Sequence, residues 1–176
     1  MRLIFFAGFL VLFSGLKSQF VQVGNGSYLG TLSGPIRVSN TSDTFVSKYA
    51  YIYPKSELGN ITQGDSITSL AFYKTDGDLF NGDVQMRVWI SNTPLYDFGT
   101  SPISFSTETN SAQLVFNDHP STIFGENESF YTVPFSQAYY YDSSTNGENL
   151  AIYVECIQHD SQGTAYSFYF EGSNTV

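Results

Sequence analysis

Asp76-Gly77-Asp78-Leu79-Phe80-Asn81-Gly82-Asp83 concentrates oxygen donors in one short stretch. Asp76, Asp78, Asn81 and Asp83 are hard ligands, and a glycine bend between them would gather them around calcium. The order differs from an EF-hand loop, in which Asp-x-(Asp/Asn)-x-(Asp/Asn)-Gly is followed by a glutamate. Asn-Gly and Asp-Gly are also the pairs that tight hairpin turns prefer. Two readings stand: a structural calcium site on Asp76, Asp78, Asn81 and Asp83, or a polar hairpin between two strands. Glu126-Asn127-Glu128 is a smaller acidic group and reads as a solvated turn.

Acid–base or nucleophilic catalysis would have to use His119 or His159, the two histidines of the chain, or Cys156, its one cysteine. His119 stands in the turn Asn117-Asp118-His119-Pro120, and His159 at a strand end in Gln158-His159-Asp160-Ser161. Adjacent residues of a strand point to opposite faces, so Asp160 is badly placed to orient His159 in a Ser-His-Asp arrangement. Gly-x-Ser-x-Gly is missing from the sequence. Both histidines read as solvated loop residues. Cys156 shares a strand face with Ile152 and Val154, which makes it a small core hydrophobe. A reactive thiol would need a base and an electropositive setting. Too few Cys and His are present to build a structural zinc site.

The remaining chemistry is aromatic. The chain has 13 Tyr, 16 Phe and one Trp. Exposed rings stack on sugar faces, and the same residues are also good strand formers with amphipathic tips. Trp89 falls on the polar side of its strand, opposite Val88 and Ile90. Tyr139-Tyr140-Tyr141, if extended, must turn at least one ring outward. Trp89, Tyr139, Tyr140 and Tyr141 are the candidate ligand-binding residues.

These side chains must be positioned by strands. Val84, Met86, Val88 and Ile90 alternate with Gln85, Arg87, Trp89 and Ser91, the period of a half-buried strand. Ala112, Leu114 and Phe116 repeat the pattern, as do Ile152, Val154 and Cys156, and then Tyr166, Phe168 and Phe170. Thr68–Tyr73 reads as a strand, as do the alternating Tyr49, Tyr51 and Tyr53. Tyr131 and Val133 form another, expected to stop at Pro134. Asn, Asp, Gly, Ser and Pro clusters separate these runs, as tight turns require. The one helical signal is a single turn, Pro54-Lys55-Ser56-Glu57-Leu58-Gly59, closed by glycine. The pattern predicts an all-β fold, an antiparallel β-sandwich, jelly-roll-like, without a linker or internal repeat.

The first residues have a different character. Met1-Arg2 precedes an apolar run from Leu3 to Leu16, followed by Lys17-Ser18-Gln19. A basic start, a short apolar core and a small residue before the cut describe a secretory signal peptide, residues 1–18, with Gln19 as the new N-terminus. A membrane span needs about 20 apolar residues, more than this run supplies. Removal of Arg2 and Lys17 takes the formal charge from −9 to −11. That charge repels nucleic acid and anionic lipid. The aromatic content provides the apolar surface that a folded domain, here residues 19–176, must bury. One cysteine permits no internal disulfide.

Several segments in order carry a resemblance. They are Ile52–Gly59, Ile67–Tyr73, Val84–Thr93, Gln113–Phe116, Val133-Pro134-Phe135, Tyr140-Tyr141-Asp142 and Glu148–Val154. The arrangement resembles the N-terminal β-sandwich module of large secreted Bacteroidota proteins, adhesins and peptidases associated with type IX secretion. It spans about residues 20–172. The resemblance implies a non-catalytic module without transferable catalytic residues. It also implies a C-terminal sorting domain, and Gly172-Ser173-Asn174-Thr175-Val176 is not one. The expectation is therefore a chain that continues into linked downstream domains, or one that stays periplasmic. Asp65-Ser66-Ile67 resembles the O-glycosylation acceptor of that group. Asn25, Asn40, Asn60 and Asn127 head Asn-x-Ser/Thr triplets that matter in a eukaryotic host.

The resulting expectation is a secreted or cell-surface adhesion or interaction module of a larger protein, not an enzyme. Its partner would be a glycan or a surface protein, with no nucleic acid and no membrane insertion after signal cleavage. No cofactor is expected, apart from structural calcium. The alternative is a carbohydrate-binding module serving a linked enzyme.

Overall fold

The computed structural model describes residues 21, 44–76, 83–100, 102–120, 129–159 and 167–168. The signal segment, Asp78, Asn81, Glu126, Asn127, Glu128, Asp160, Tyr166, Phe170 and the triplets headed by Asn25 and Asn40 lie outside them. Seven strands are described: β1 (Phe45–Tyr53), β2 (Ser66–Asp76), β3 (Val84–Thr93), β4 (Gln113–Asp118), β5 (Ser129–Tyr140), β6 (Asn149–Gln158) and β7 (Ser167–Phe168). They form two antiparallel sheets, one ordered β1-β6-β3-β4 and the other β5-β2-β7. The fold is an all-β sandwich.

β3 shows the expected alternation, with Val84, Met86, Val88 and Ile90 inward and at most 1% exposed. β6 lies between β1 and β3, paired on both sides from Gln158 to Leu150. It is buried on both faces, Ile157 alone being intermediate. Val154, Ile152 and Cys156 face the core as their spacing indicates, together with Val115, Val133 and Tyr141. Burial pushes the Cys156 thiol pKa up to about 12, so it is a packing group and not a nucleophile. Tyr49, Tyr51 and Tyr53 pack against the same core from β1.

The outer face of β6 is covered in two ways. Glu155 stands directly across from Lys48 on β1 and Arg87 on β3. Both cations reach its carboxylate at 3.2 Å. A carboxylate this buried is tolerated because it is paired on both sides. One step along the strands, Trp89 and Tyr153 are register partners. Phe105 meets both rings edge-on, at centroid distances of 5.9 and 6.0 Å.

Phe105 belongs to a helix that the sequence pattern did not indicate, α1 (Phe105–Ser111). Its residues are Ser-, Thr- and Asn-rich, poor helix formers that favour caps and turns. Tertiary contact of Phe105 with the sheet overrides that weak preference. The expected turn near Lys55 is a short 3-10 helix (Lys55–Glu57).

Two strand expectations need correction. Ala112, Leu114 and Phe116 do not share a face. Val88 pairs with Phe116 but Trp89 pairs with Leu114, so Val115 is an extra residue, a β-bulge. A bulge shifts the phase of alternation. Val115 and Phe116 are therefore buried while Leu114 is 41% exposed. Nor does β5 stop at Pro134. Ile67 pairs with Tyr139 and Ser69 with Pro134, so β5 leaves the β2 ladder after Pro134 and rejoins it at Tyr139. Proline has no N–H for a ladder, which places the break there. In that excursion β5 touches β4 instead: Ser136 donates to Val115 O at 3.1 Å, and Gln113 to Ala138 O at 3.2 Å.

The bulge makes a direct prediction. Phe116→Ala is expected to destabilise the fold by about 3–5 kcal/mol. Leu114→Ala is expected to cost at most about 0.5 kcal/mol, as at a solvent-facing site. Urea unfolding of the two variants checks both, and equal losses would contradict the described register.

Candidate functional site

The polar side chains that organise one end of the sandwich are two buried asparagines. Thr93 on β3 is the register partner of Asn149 on β6, and Asn92 that of Leu150, so the two amides start from neighbouring strand ends. Their exposures are 8% for Asn92 and 3% for Asn149. A buried amide must find partners, because an unmade hydrogen bond there costs about 1–3 kcal/mol.

Asn92 finds three. Its Oδ1 accepts from the Tyr139 hydroxyl at 2.6 Å and from the Asp142 N–H at 3.0 Å. Its Nδ2 donates to Gly147 O at 2.9 Å. Asn149 accepts the Lys55 N–H at 2.8 Å and donates to Leu95 O at 2.8 Å. The loops after β1, β3 and β5 are thereby tied to two strand ends. The Lys55 ammonium donates to Ile61 O and lies 5.2 Å from the Tyr141 ring centroid. Gly147 has φ 98°, and a Cβ there would meet Pro94 N at 2.3 Å. Only glycine supplies both that conformation and that proximity.

Asp142 continues the network outward. Ser144, Thr145 and Gln63 all donate to its carboxylate, at 2.7, 2.7 and 2.8 Å. These bonds, Ser144 first, hold its carboxyl well below the usual aspartate range. A lowered folded-state pKa means that this contribution is present above the unfolded value of 3.8 and is lost as pH falls through the folded value.

Beside this end lies a half-open groove of about 550 Å³. Ser91, Glu108, Gln113, Tyr139, Asn146 and Tyr153 contribute to its lining, from β3, α1, β4, β5, a loop and β6. The Tyr153 hydroxyl donates to Glu108 Oε2 at 3.2 Å. Burial, with the Glu108 charge second, pushes the Tyr153 pKa up to about 12. Burial also raises the Tyr139 pKa. Both phenols are neutral donors at any physiological pH.

The sequence-predicted ligand residues do not form one surface. Tyr139 lines the groove. Tyr140 is 66% exposed. Tyr141 is a correction: it is 1% exposed, part of the core, and its hydroxyl donates to Glu148 O at 2.5 Å. Alternation along an extended segment puts neighbouring rings on opposite sides, which separates Tyr140 from Tyr141. Trp89 lies outward as expected, but Phe105 of α1 stands against it, so it is half-buried rather than an open platform.

Of the four calcium candidates, Asp76 ends β2 and pairs in register with Ser167, and Asp83 precedes β3. Asp83 accepts the His159 N–H through its backbone oxygen at 2.9 Å. Among the described residues no group of three or more His, Cys, Asp or Glu is disposed to hold a metal. The histidines, read as separate loop residues, both line a shallow hollow of about 390 Å³ with Asp83 and Asp118. It lies at the end of β3 away from the groove. The β4–β3–β6 register brings them together, a pairing invisible in local sequence.

The chain matches no family model, no curated protein and no solved structure.

Gly147→Ala is expected to lower the melting temperature by more than about 4 °C, because about 1 kcal/mol shifts a domain of this size by about 2–4 °C and a Cβ at an incompatible backbone conformation costs more than that. Asn146→Ala, one residue earlier and exposed, is expected to leave it within about 2 °C. Thermal melts of both variants check this, and an unchanged melt for Gly147→Ala would contradict the packing of its loop against Pro94.

Proposed function

We propose that the chain is an exported, non-catalytic interaction module that attaches a larger secreted or cell-surface protein to a partner outside the cytoplasm. The observation that carries this reading is the groove beside Asn92 and Asn149. Its walls come from five elements and two loops, and buried polar side chains fix the adjoining strand ends. A concavity held in shape before binding avoids part of the ordering cost of association. Its volume falls within the range of about 300–1,000 Å³ common for ligand sites.

The basic start and short apolar core at residues 1–18 support export, and the ordered motifs support kinship with Bacteroidota surface modules. The acidic charge supports a partner that is neither nucleic acid nor anionic membrane.

Expressed from Met1 in a Gram-negative cell, the chain is expected outside the cytoplasm with Gln19 at its N-terminus, read by N-terminal sequencing. Beads coated with it are expected to remain under flow on surfaces bearing cell-envelope or mucosal glycoproteins, where albumin-coated beads detach. Cytoplasmic retention with Met1 intact overturns export, and detachment at the albumin rate from every surface overturns adhesion.

A further inference from the structure

The lining of the groove has more hydrogen-bonding capacity than the protein uses. Glu108 Oε2 accepts from Tyr153, which leaves Oε1 of the same carboxylate. Gln113 donates through Nε2 to Ala138 O, and its Oε1 takes part in no hydrogen bond among the described residues. The Asn146 amide, on an exposed residue, makes none among the described residues either. Three planar polar groups, two offering acceptor oxygens and one offering both a donor and an acceptor, thus line one concavity with the half-buried ring of Tyr139, above the buried Tyr153.

That combination selects a ligand. An anion would meet the Glu108 carboxylate and a strongly acidic protein, which repel it. A polycation would be best served by several converging carboxylates, whereas Glu108 alone is charged among the described lining residues. A neutral polyol fits both parts of the lining. Its hydroxyls donate to carboxylate and amide oxygens and accept from an amide N–H. One of its C–H faces lies against the half-buried ring of Tyr139.

We propose that the groove lined by Glu108, Gln113, Asn146, Tyr139 and Tyr153 is a binding site for a neutral saccharide. This rests on the reading of the chain as an interaction module, and it moves the sugar site away from Trp89 and Tyr141. Glu108 and Gln113 accept hydroxyl protons, Asn146 donates from the rim, and the half-buried Tyr139 ring carries the apolar contact.

The test is calorimetric or NMR titration of the full chain with cellobiose, maltose, lactose and N,N′-diacetylchitobiose. Sialyllactose serves as an anionic probe and spermine as a cationic one. The expected result is saturable binding of at least one neutral disaccharide. Asn146→Ala and Gln113→Ala should each weaken it about tenfold, the equivalent of about 1.4 kcal/mol. Tyr140→Ala, at a solvent-facing ring outside the lining, should leave it unchanged, and the melting temperature of Asn146→Ala should match that of the parent. Binding of spermine or sialyllactose alone overturns the proposal, as does sugar binding unaffected by both groove variants. Bead adhesion that persists while none of the neutral disaccharides binds overturns the saccharide site and leaves the interaction module standing. Loss of adhesion together with loss of sugar binding overturns both.

Discussion

A strand end is a poor place to bury an amide unless something comes to meet it. Asn92 and Asn149 are buried at neighbouring ends of β3 and β6, and what meets them is backbone from three different loops. Each bond satisfies a group that would otherwise be costly to bury. In return the loops acquire fixed positions that their own sequences do not dictate. The 3-10 turn at Lys55, the chain after Pro94 and the segment from Asp142 to Gly147 all take their place from these two side chains. Gly147 can approach Pro94 as closely as it does because it has no Cβ.

The sheet beneath provides the rigid base. β6 has both faces covered, one by the core and the other by the Lys48–Glu155–Arg87 row and the Trp89–Phe105–Tyr153 cluster. That second cover has a consequence for the groove. The ring cluster anchors α1 on the outer face, and α1 places Glu108 over Tyr153 at the groove. Trp89 thus supports the groove wall from below.

What could be read from the sequence was whatever depended on period two alone. The core face of β3, the burial of Cys156 and the two-sheet class follow from alternation and turn residues. The bulge at Val115 could not be read, because Ala112, Leu114 and Phe116 alternate perfectly and only the pairing with β3 reveals the extra residue. α1 was hidden by helix-poor composition, and β5 by a proline that interrupts a ladder without ending a strand. The groove was hidden for a different reason. Glu108, Gln113, Asn146 and Tyr153 belong to separate elements, and no local spacing joins them. Tyr139 is the one lining residue that the sequence marks as a ligand candidate, through its place in a tyrosine run whose next two members turn to solvent and to the core.

Amide hydrogen exchange followed residue by residue in Asn92→Ala and Asn149→Ala is the most direct measurement of this account. If the two side chains hold the loops, Asn149→Ala speeds exchange at Lys55 N–H, and Asn92→Ala does so at Asp142 N–H. The expected factor is about 10–100 at each, matching about 1–3 kcal/mol per lost bond. Amides of Val88 and Val154 in the sheet interior keep their protection beyond any global loss of stability. Unchanged exchange at Lys55 and Asp142 would mean that the loops hold their positions without the asparagines, and would contradict the central claim.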